Sequence, residues 1–433
     1  MKVAVVGGGV VGLCAALDLA RKGADVVLLE RGECGCGASA GNCGWVTPAL
    51  SSPLAEPGAA PHALLGMTRP QSPFTVRPRP NLEFFAWCWR FWRSSSEARW
   101  RRGTAQLLAL NARTMELFDE LHGGAARFEM HASGLVLASR THRGLKTFRA
   151  LFRAVGELGY AGTISEWGAA EAREHEAALG EAVVGAFFAS EERHVRPESL
   201  VKGLFHAVRA AGVEVVEHVD VQQIVRRRGG WSLRTPTSAH LGEAVVVAAG
   251  VSSQALLRPL GVRLPLESAK GYSITATGQG TIPQHALYLG EAKVGCSPFA
   301  DSVRLGGTLE LGARDLSLRR RRLEAITASA AMYLRDWRPG PARVEWAGLR
   351  PASPDGLPLI GSLPGQENLF VATGHGMLGV TLAPATAALL TPLVLEGRSS
   401  PELEPFRPDR FKRVVRIDHR TRLNRTEAQG RSA

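Results

Sequence analysis

Val3-Ala4-Val5-Val6-Gly7-Gly8-Gly9-Val10-Val11-Gly12 opens the chain and sets how the rest is read. Val3 to Val6 is β-branched or small throughout, as suits a strand buried on both faces of a parallel sheet. Gly7-x-Gly9-x-x-Gly12 comes directly after it. Leu13 to Lys22 then reads as a helix with Leu13, Ala16, Leu17 and Ala20 on one side, and Gly23 stands where it ends. Asp25 to Leu29 is the next apolar strand, followed by Glu30 and Arg31. Each part has a physical task. The first Gly allows the sharp turn, the second lets backbone approach a pyrophosphate, and the third lets helix and strand pack closely. The N-terminal end of the helix, Val10 and Val11 included, offers N–H groups and partial positive charge to phosphate. Glu30 falls where a carboxylate binds ribose hydroxyls and disfavours a 2′-phosphate. The sum is a Rossmann-type dinucleotide fold.

The residues after the second strand bear on which dinucleotide is bound. Glu33 to Trp45 is rich in small residues, which permit close approach to a bulky ligand. A long Pro- and Trp-rich stretch, residues 48 to 102, stands where a nicotinamide enzyme would usually add another βαβ unit. Later come Ala248-Ala249-Gly250 after the strand Ala244 to Val247, and Lys270-Gly271-Tyr272. Gly348-Leu349-Arg350-Pro351 precedes Asp355-Gly356-x-Pro358-x-Ile360-Gly361, and Thr373-Gly374-His375-Gly376-Met377-Leu378-Gly379-Val380-Thr381 comes next.

With Ser39-Ala40-Gly41-Asn42-Cys43-Gly44, these segments resemble the D-amino acid oxidase-like flavoprotein superfamily, and most closely its D-amino acid dehydrogenase branch. The resemblance covers nearly the whole chain. It implies non-covalent FAD, since the neighbourhood Ala347 to Asp355 lacks the Cys that tethers flavin in sarcosine-oxidase relatives. It further implies that Asn42, Gly44 and Trp45 lie beside the isoalloxazine and that Ser39, Ala40 and Gly348 also bind the cofactor. Gly374, His375, Gly376, Met377, Gly379, Val380 and Thr381 would open a helix aimed at its pyrimidine ring. Val219, in a strand expected over Val213 to Val221, would meet the adenine through its backbone, with Ala249 and Gly250 near the ADP half. Arg350 would hold a substrate carboxylate, a role its planar two-pronged donor suits. Tyr272 is a second candidate, with core packing as the alternative, and Tyr288 a weaker one. His375 is a candidate base, although a place inside a Gly turn favours support of the cofactor.

The expected fold is α/β: a discontinuous FAD-binding domain over residues 1–50, 196–262 and 345–410, its mainly parallel sheet surrounded by helices. A substrate domain with a mainly antiparallel sheet takes residues 51–195 and 263–344, with helices over residues 104–121, 143–157 and 319–335. Residues 411–433 form a basic tail. The implied reaction is oxidative deamination of a D-α-amino acid by hydride transfer to the flavin. The same chemistry on glycine, sarcosine or a cyclic amino acid is the nearest alternative; an RNA-modifying or non-catalytic flavoprotein is more distant. Oxygen or a quinone would reoxidise the flavin.

The 433 residues carry a formal charge of +12, mostly as scattered Arg, which reads as a solvated surface and predicts no nucleic-acid partner. Cys34-x-Cys36 followed by Cys43 matches no common zinc spacing, so no metal is expected. Residues 376–395 carry no formal charge, yet Pro384 and Pro392 interrupt them, and a buried helix is expected there rather than a membrane span. A cytoplasmic location is the expectation that results. Residues 82–102 interleave seven aromatics with Arg90, Arg93, Arg99, Arg101 and Arg102. That mix suits either a helix at the inner face of a membrane or, the reading preferred, a helix packed on the flavin domain with its Arg side chains reaching to water.

Overall fold

The computed structural model describes residues 1–58, 72–124 and 126–411. Nearly all of the basic tail therefore lies outside the described residues. A six-stranded sheet runs in the order Glu214–Val216, Asp25–Leu29, Lys2–Val6, Ala244–Val247, Gln366–Thr373, Leu359–Leu363. The first five are parallel; the last returns as an antiparallel hairpin. Val3 pairs with both Val26 and Ala244, so the opening strand is central. Its Val3 and Val5 pack against Leu13 and Leu17 of the helix Val10–Arg21 and against Leu204 and Leu382 of two further helices. Ala4 and Val6 face the other way.

That other face departs from the expected ring of helices. It is covered by a three-stranded antiparallel sheet, Gln223–Arg227, Gly230–Arg234 and Ala239–Gly242. Ile224, Trp231 and Leu233 alternate inward from it onto Ala4, Val6 and Val245. Period-two alternation decides the case: these short segments can bury one side only as strands.

The second sheet has nine strands; next to one edge, the long strand Glu267–Gln279 runs between Arg338–Ala352 and Val303–Leu311. Its pairings are antiparallel apart from Ala286–Leu289 with Leu135–Ser139 and Phe74–Val76 with Val303–Leu311. The helix Arg320–Ala331 closes one face through Leu323 and Ile326. The helix expected over residues 104–121 divides into Glu97–Asn111 and Thr114–Gly123. Asn111 sits at the break, donating from Nδ2 to Ser51 Oγ (2.6 Å) and accepting from Thr114 Oγ1 (2.8 Å). Side-chain bonding of this kind competes with helix continuation. Leu107, Leu110 and Phe118 of these helices are buried in the core of the six-stranded sheet.

The helix Gly379–Glu396 is long and apolar enough to cross a membrane, yet most of it is buried here, packed on Val10–Arg21. The helix Leu82–Ser94 packs on the large sheet rather than on the flavin sheet: Phe84, Trp87 and Phe91 meet Ala269, Leu309 and Ala352.

Candidate active site

The Gly-rich turn is close-packed behind and open in front. Gly7 has φ +112°, and a Cβ there would lie 2.5 Å from the Ala248 carbonyl oxygen. A Cβ on Gly12 would lie 1.9 Å from the Gly7 oxygen, which leaves no room for any side chain. At Gly9 the nearest atom to a Cβ is Ser39 Oγ at 3.3 Å. Val10 N–H donates to that same Ser39 oxygen (3.0 Å). Glu30 accepts from Gly8 N–H (2.6 Å) and Gly32 N–H (2.9 Å), so its carboxylate already stands at the turn. Arg31 is exposed. Val219 lies beyond its strand, which ends at Val216; its N–H donates to the Glu30 carbonyl oxygen (2.8 Å). Ala249 and Gly250 are half-buried where the backbone passes Gly7. Helix N-terminus, carboxylate and open glycine together fit the ADP half of FAD.

The loop Ser39 to Trp45 is held by the large sheet. Arg304 Nη1 donates to the carbonyl oxygens of Ala40 (3.1 Å) and Asn42 (2.9 Å). Ser273 Oγ donates to Gly41 O (2.6 Å), and Ser297 Oγ to Cys43 O (2.7 Å). Trp45 Nε1 donates to Ser297 Oγ (2.9 Å). Asn42 is a loop-former: its amide donates to Ser39 O (2.8 Å) and accepts from Gly44 N–H (2.7 Å). The Trp346 indole is slotted between Gly41 and Gly348, where a Cβ on either would lie 2.1 Å from the ring. Sequence reasoning missed Arg304, Ser273 and Trp346; Arg304 lies in a strand with no motif of its own, and Ser273 and Trp346 flank the Lys270 to Tyr272 and Gly348 to Pro351 motifs without belonging to them.

The Gly-His-Gly turn closes the site. Gly374 and Gly376 have φ +79° and +55°, a left-handed backbone that glycine tolerates best. Gly376 N–H donates to Pro351 O (2.9 Å), which ties the turn to Arg350 and its neighbours. Gly379 opens the helix Gly379–Glu396, whose first turn, with buried Val380, holds no acid. Thr381 Oγ1 donates to Trp45 O (2.8 Å). His375 is buried, its Nε2 hydrogen-bonded to Thr386 Oγ1 (3.0 Å), and burial pushes its pKa down to about 4. It is neutral at neutral pH, with Nε2 already engaged, which suits support rather than proton transfer.

Arg350, Ala269, Leu309, Ala352, Gly376 and Met377 line one cleft, with Ser52 and Leu54 among the residues that complete it. Arg350 has no carboxylate partner among the described residues; its Nη1 donates to Thr308 O (3.4 Å). Burial lowers its pKa, offset in part by the Cys43 thiol and by no carboxylate among the described residues, so an incoming anion would supply the missing charge. Gly271, cross-strand from Gly348, makes room for it: a Cβ there would lie 2.0 Å from Nη1.

Tyr272 is a correction. Alternation along Glu267–Gln279 turns it away from Ala269 and Gly271, into the core beside Ile274 and Ala347. Its hydroxyl donates to buried Glu310 (3.2 Å), and burial raises its pKa. Tyr288 packs edge-on to Trp45 at 5.9 Å.

The family model described as DAO, FAD dependent oxidoreductase, matches residues 2–393. The chain is 31% identical over 422 residues to a D-amino acid dehydrogenase of Chromohalobacter salexigens, covering 94% of this chain and 98% of that one. Among solved structures it resembles glycine oxidase from Geobacillus kaustophilus (TM-score 0.75, 23% identity, 94% and 99% covered). It also resembles L-proline dehydrogenase from P. horikoshii (TM-score 0.71, 17% identity, 95% and 97% covered). With an ADP cradle, a small-residue loop and a cleft whose guanidinium meets no carboxylate among the described residues, the chain belongs to the FAD dependent oxidoreductase family as an amino acid dehydrogenase or oxidase.

Proposed function

We propose that this enzyme oxidises a D-α-amino acid to the imino acid, which water then hydrolyses to the 2-oxo acid and ammonia. The observation that carries this is Arg350, a half-buried guanidinium without a carboxylate partner among the described residues, beside the Gly-His-Gly turn. Arg350 holds the substrate carboxylate through two parallel N–H donors. Leu54, Leu309 and Met377 offer an apolar wall to the substrate side chain and keep water from the reacting carbon. FAD, when bound, supplies the two-electron acceptor for the hydride. With His375 engaged at Thr386, no cleft-lining side chain among the described residues is placed as a base, so the amine reacts in its neutral form. Visible spectra without oxygen, before and after adding D- and L-amino acids, glycine, sarcosine and proline, test the reading. Bleaching by D-amino acids supports it. Bleaching by glycine or proline alone replaces it with the glycine-oxidase or proline-dehydrogenase chemistry of the structural neighbours. A spectrum that no amine changes overturns both.

A membrane quinone at the cytoplasmic face is the acceptor this reading favours over oxygen. Leu82, Phe85, Trp89 and Trp92 are exposed along one side of Leu82–Ser94 at 87, 58, 59 and 56%, with Arg93 beside them. Anchors of this kind suit the headgroup layer. Sedimentation with anionic phosphatidylglycerol vesicles, compared with Trp89→Glu/Trp92→Glu, tests it; equal recovery of both proteins removes the membrane.

A further inference from the structure

Thr308 carries two local costs at one residue. Its φ is +59°, a left-handed value that β-branched side chains rarely adopt. Its Oγ1 is shut off from solvent with no hydrogen-bond partner among the described residues. Strain and orphaned polar atoms of this kind concentrate at functional sites. The register explains the backbone. Tyr272 pairs with Gly307 and Lys270 with Glu310, so Thr308 and Leu309 together oppose the single residue Gly271. This bulge brings two successive side chains to one face. Leu309 on that face lines the cleft, and Gly306 before the bulge faces Cys43 on the same side. The bulge also turns the Thr308 carbonyl onto Arg350 Nη1 (3.4 Å), over the notch that Gly271 leaves.

We propose that Thr308 is the second anchor of the substrate carboxylate: its carbonyl aims the Arg350 guanidinium, and its hydroxyl, turned about the Cα–Cβ bond, donates to the anion held there. The inference rests on the amino-acid substrate proposed for the cleft and names a further binding residue within it. The hydroxyl gains its missing partner only when a carboxylate arrives, so the contact discriminates carboxylates from plain amines.

The test uses FAD-loaded full-length protein and propionate, which keeps the carboxylate and cannot be oxidised at an amine. Binding is read from the perturbation of the flavin spectrum and needs no turnover. Thr308→Val keeps the shape and loses the hydroxyl; the propionate Kd rises about tenfold, with FAD content unchanged. Thr308→Ser restores it. Thr308→Gly relaxes the backbone but lacks the hydroxyl, and binds as weakly as the Val variant. With whichever amino acid reduces the flavin, the Val variant raises KM about tenfold and leaves kcat within about twofold, because the contact exists before and during reaction. Wild-type Kd in the Val variant, or full binding in the Gly variant, overturns the proposal. Failure of the amino-acid reading is separate: it appears as a wild-type flavin that no amino acid reduces, whereas propionate binding reports on Thr308 either way.

Discussion

The two ends of the active site are built by different rules. The cofactor end is largely local: Gly7, Gly9, Gly12 and Glu30 lie within one strand-turn-helix-strand unit, the glycines fitted by backbone clearance and Glu30 by its carboxylate on the Gly8 and Gly32 N–H groups. The substrate end is assembled. Arg350, Ala269, Leu309 and Met377 come from three strands and a turn that are distant in sequence. Local construction makes the first end intolerant of any added atom. Distributed construction makes the second depend on which face each strand presents.

The sharpest way to break this contrast is Gly12→Val. Its side chain would displace backbone that lies 1.9 Å from an ideal Cβ. The purified protein should be colourless; a yellow protein with a normal flavin-to-protein absorbance ratio would remove the cradle argument. Arg350→Ala should do the opposite and keep FAD while losing substrate. Its kcat/KM for amino acid should fall about a thousandfold, or about 4 kcal/mol, since a charged contact to the reacting molecule is gone. Retained turnover at saturating amino acid would place the carboxylate elsewhere.

The third effect is on stability and links both ends. His375 in the turn and His194 under the loop are each held near a pKa of about 4 by burial, below the ordinary 6.5. The folded state thus resists a proton that the unfolded chain accepts. Their stabilisation is complete above pH about 6.5, erodes as pH falls, and is gone below about 4. Denaturant midpoints measured from pH 8 to 4 should fall, and His194→Gln should flatten the slope. Flavin reduction should show no inflection from His375 between pH 5 and 8. The smallest effect is Tyr272→Phe. Removing a hydroxyl that donates to Glu310 should cost about 1 kcal/mol in stability and leave kcat and KM within about twofold. A large loss of activity would return Tyr272 to the cleft.

The same contrast explains what is legible in the chain. Gly-x-Gly-x-x-Gly with its strands and acid can be read because the turn, its helix and the acid that meets it are all encoded within the first thirty or so residues, although Gly7 also packs on distant Ala248. Arg350 is legible because its motif is dense. Tyr272 misleads because a motif marks a segment and says nothing of which face a side chain takes; one residue of alternation separates Gly271 at Arg350 from Tyr272 in the core. Thr308 and Arg304 leave no sequence signal at all. The first depends on a register slip, the second on a partner loop far away. The outer cover of the six-stranded sheet escapes a sequence reading that expects helices, because its strands are short and only three inward side chains reach across.

The clamps on the Ser39 to Trp45 loop also carry a schedule. The loop leaves the ribosome early, but Ser273, Ser297 and Arg304 come 232 to 264 positions later. Its carbonyls stay unclamped until two-thirds of the chain has been made. The opening strand waits almost as long for Ala244, its second neighbour. If that loop holds the flavin ring as the resemblance implies, capture of the ring is a late event in biogenesis, after the nucleotide cradle has taken shape. Truncated products that end before residue 273 should lack a finished bed for the flavin ring while still displaying the glycine turn.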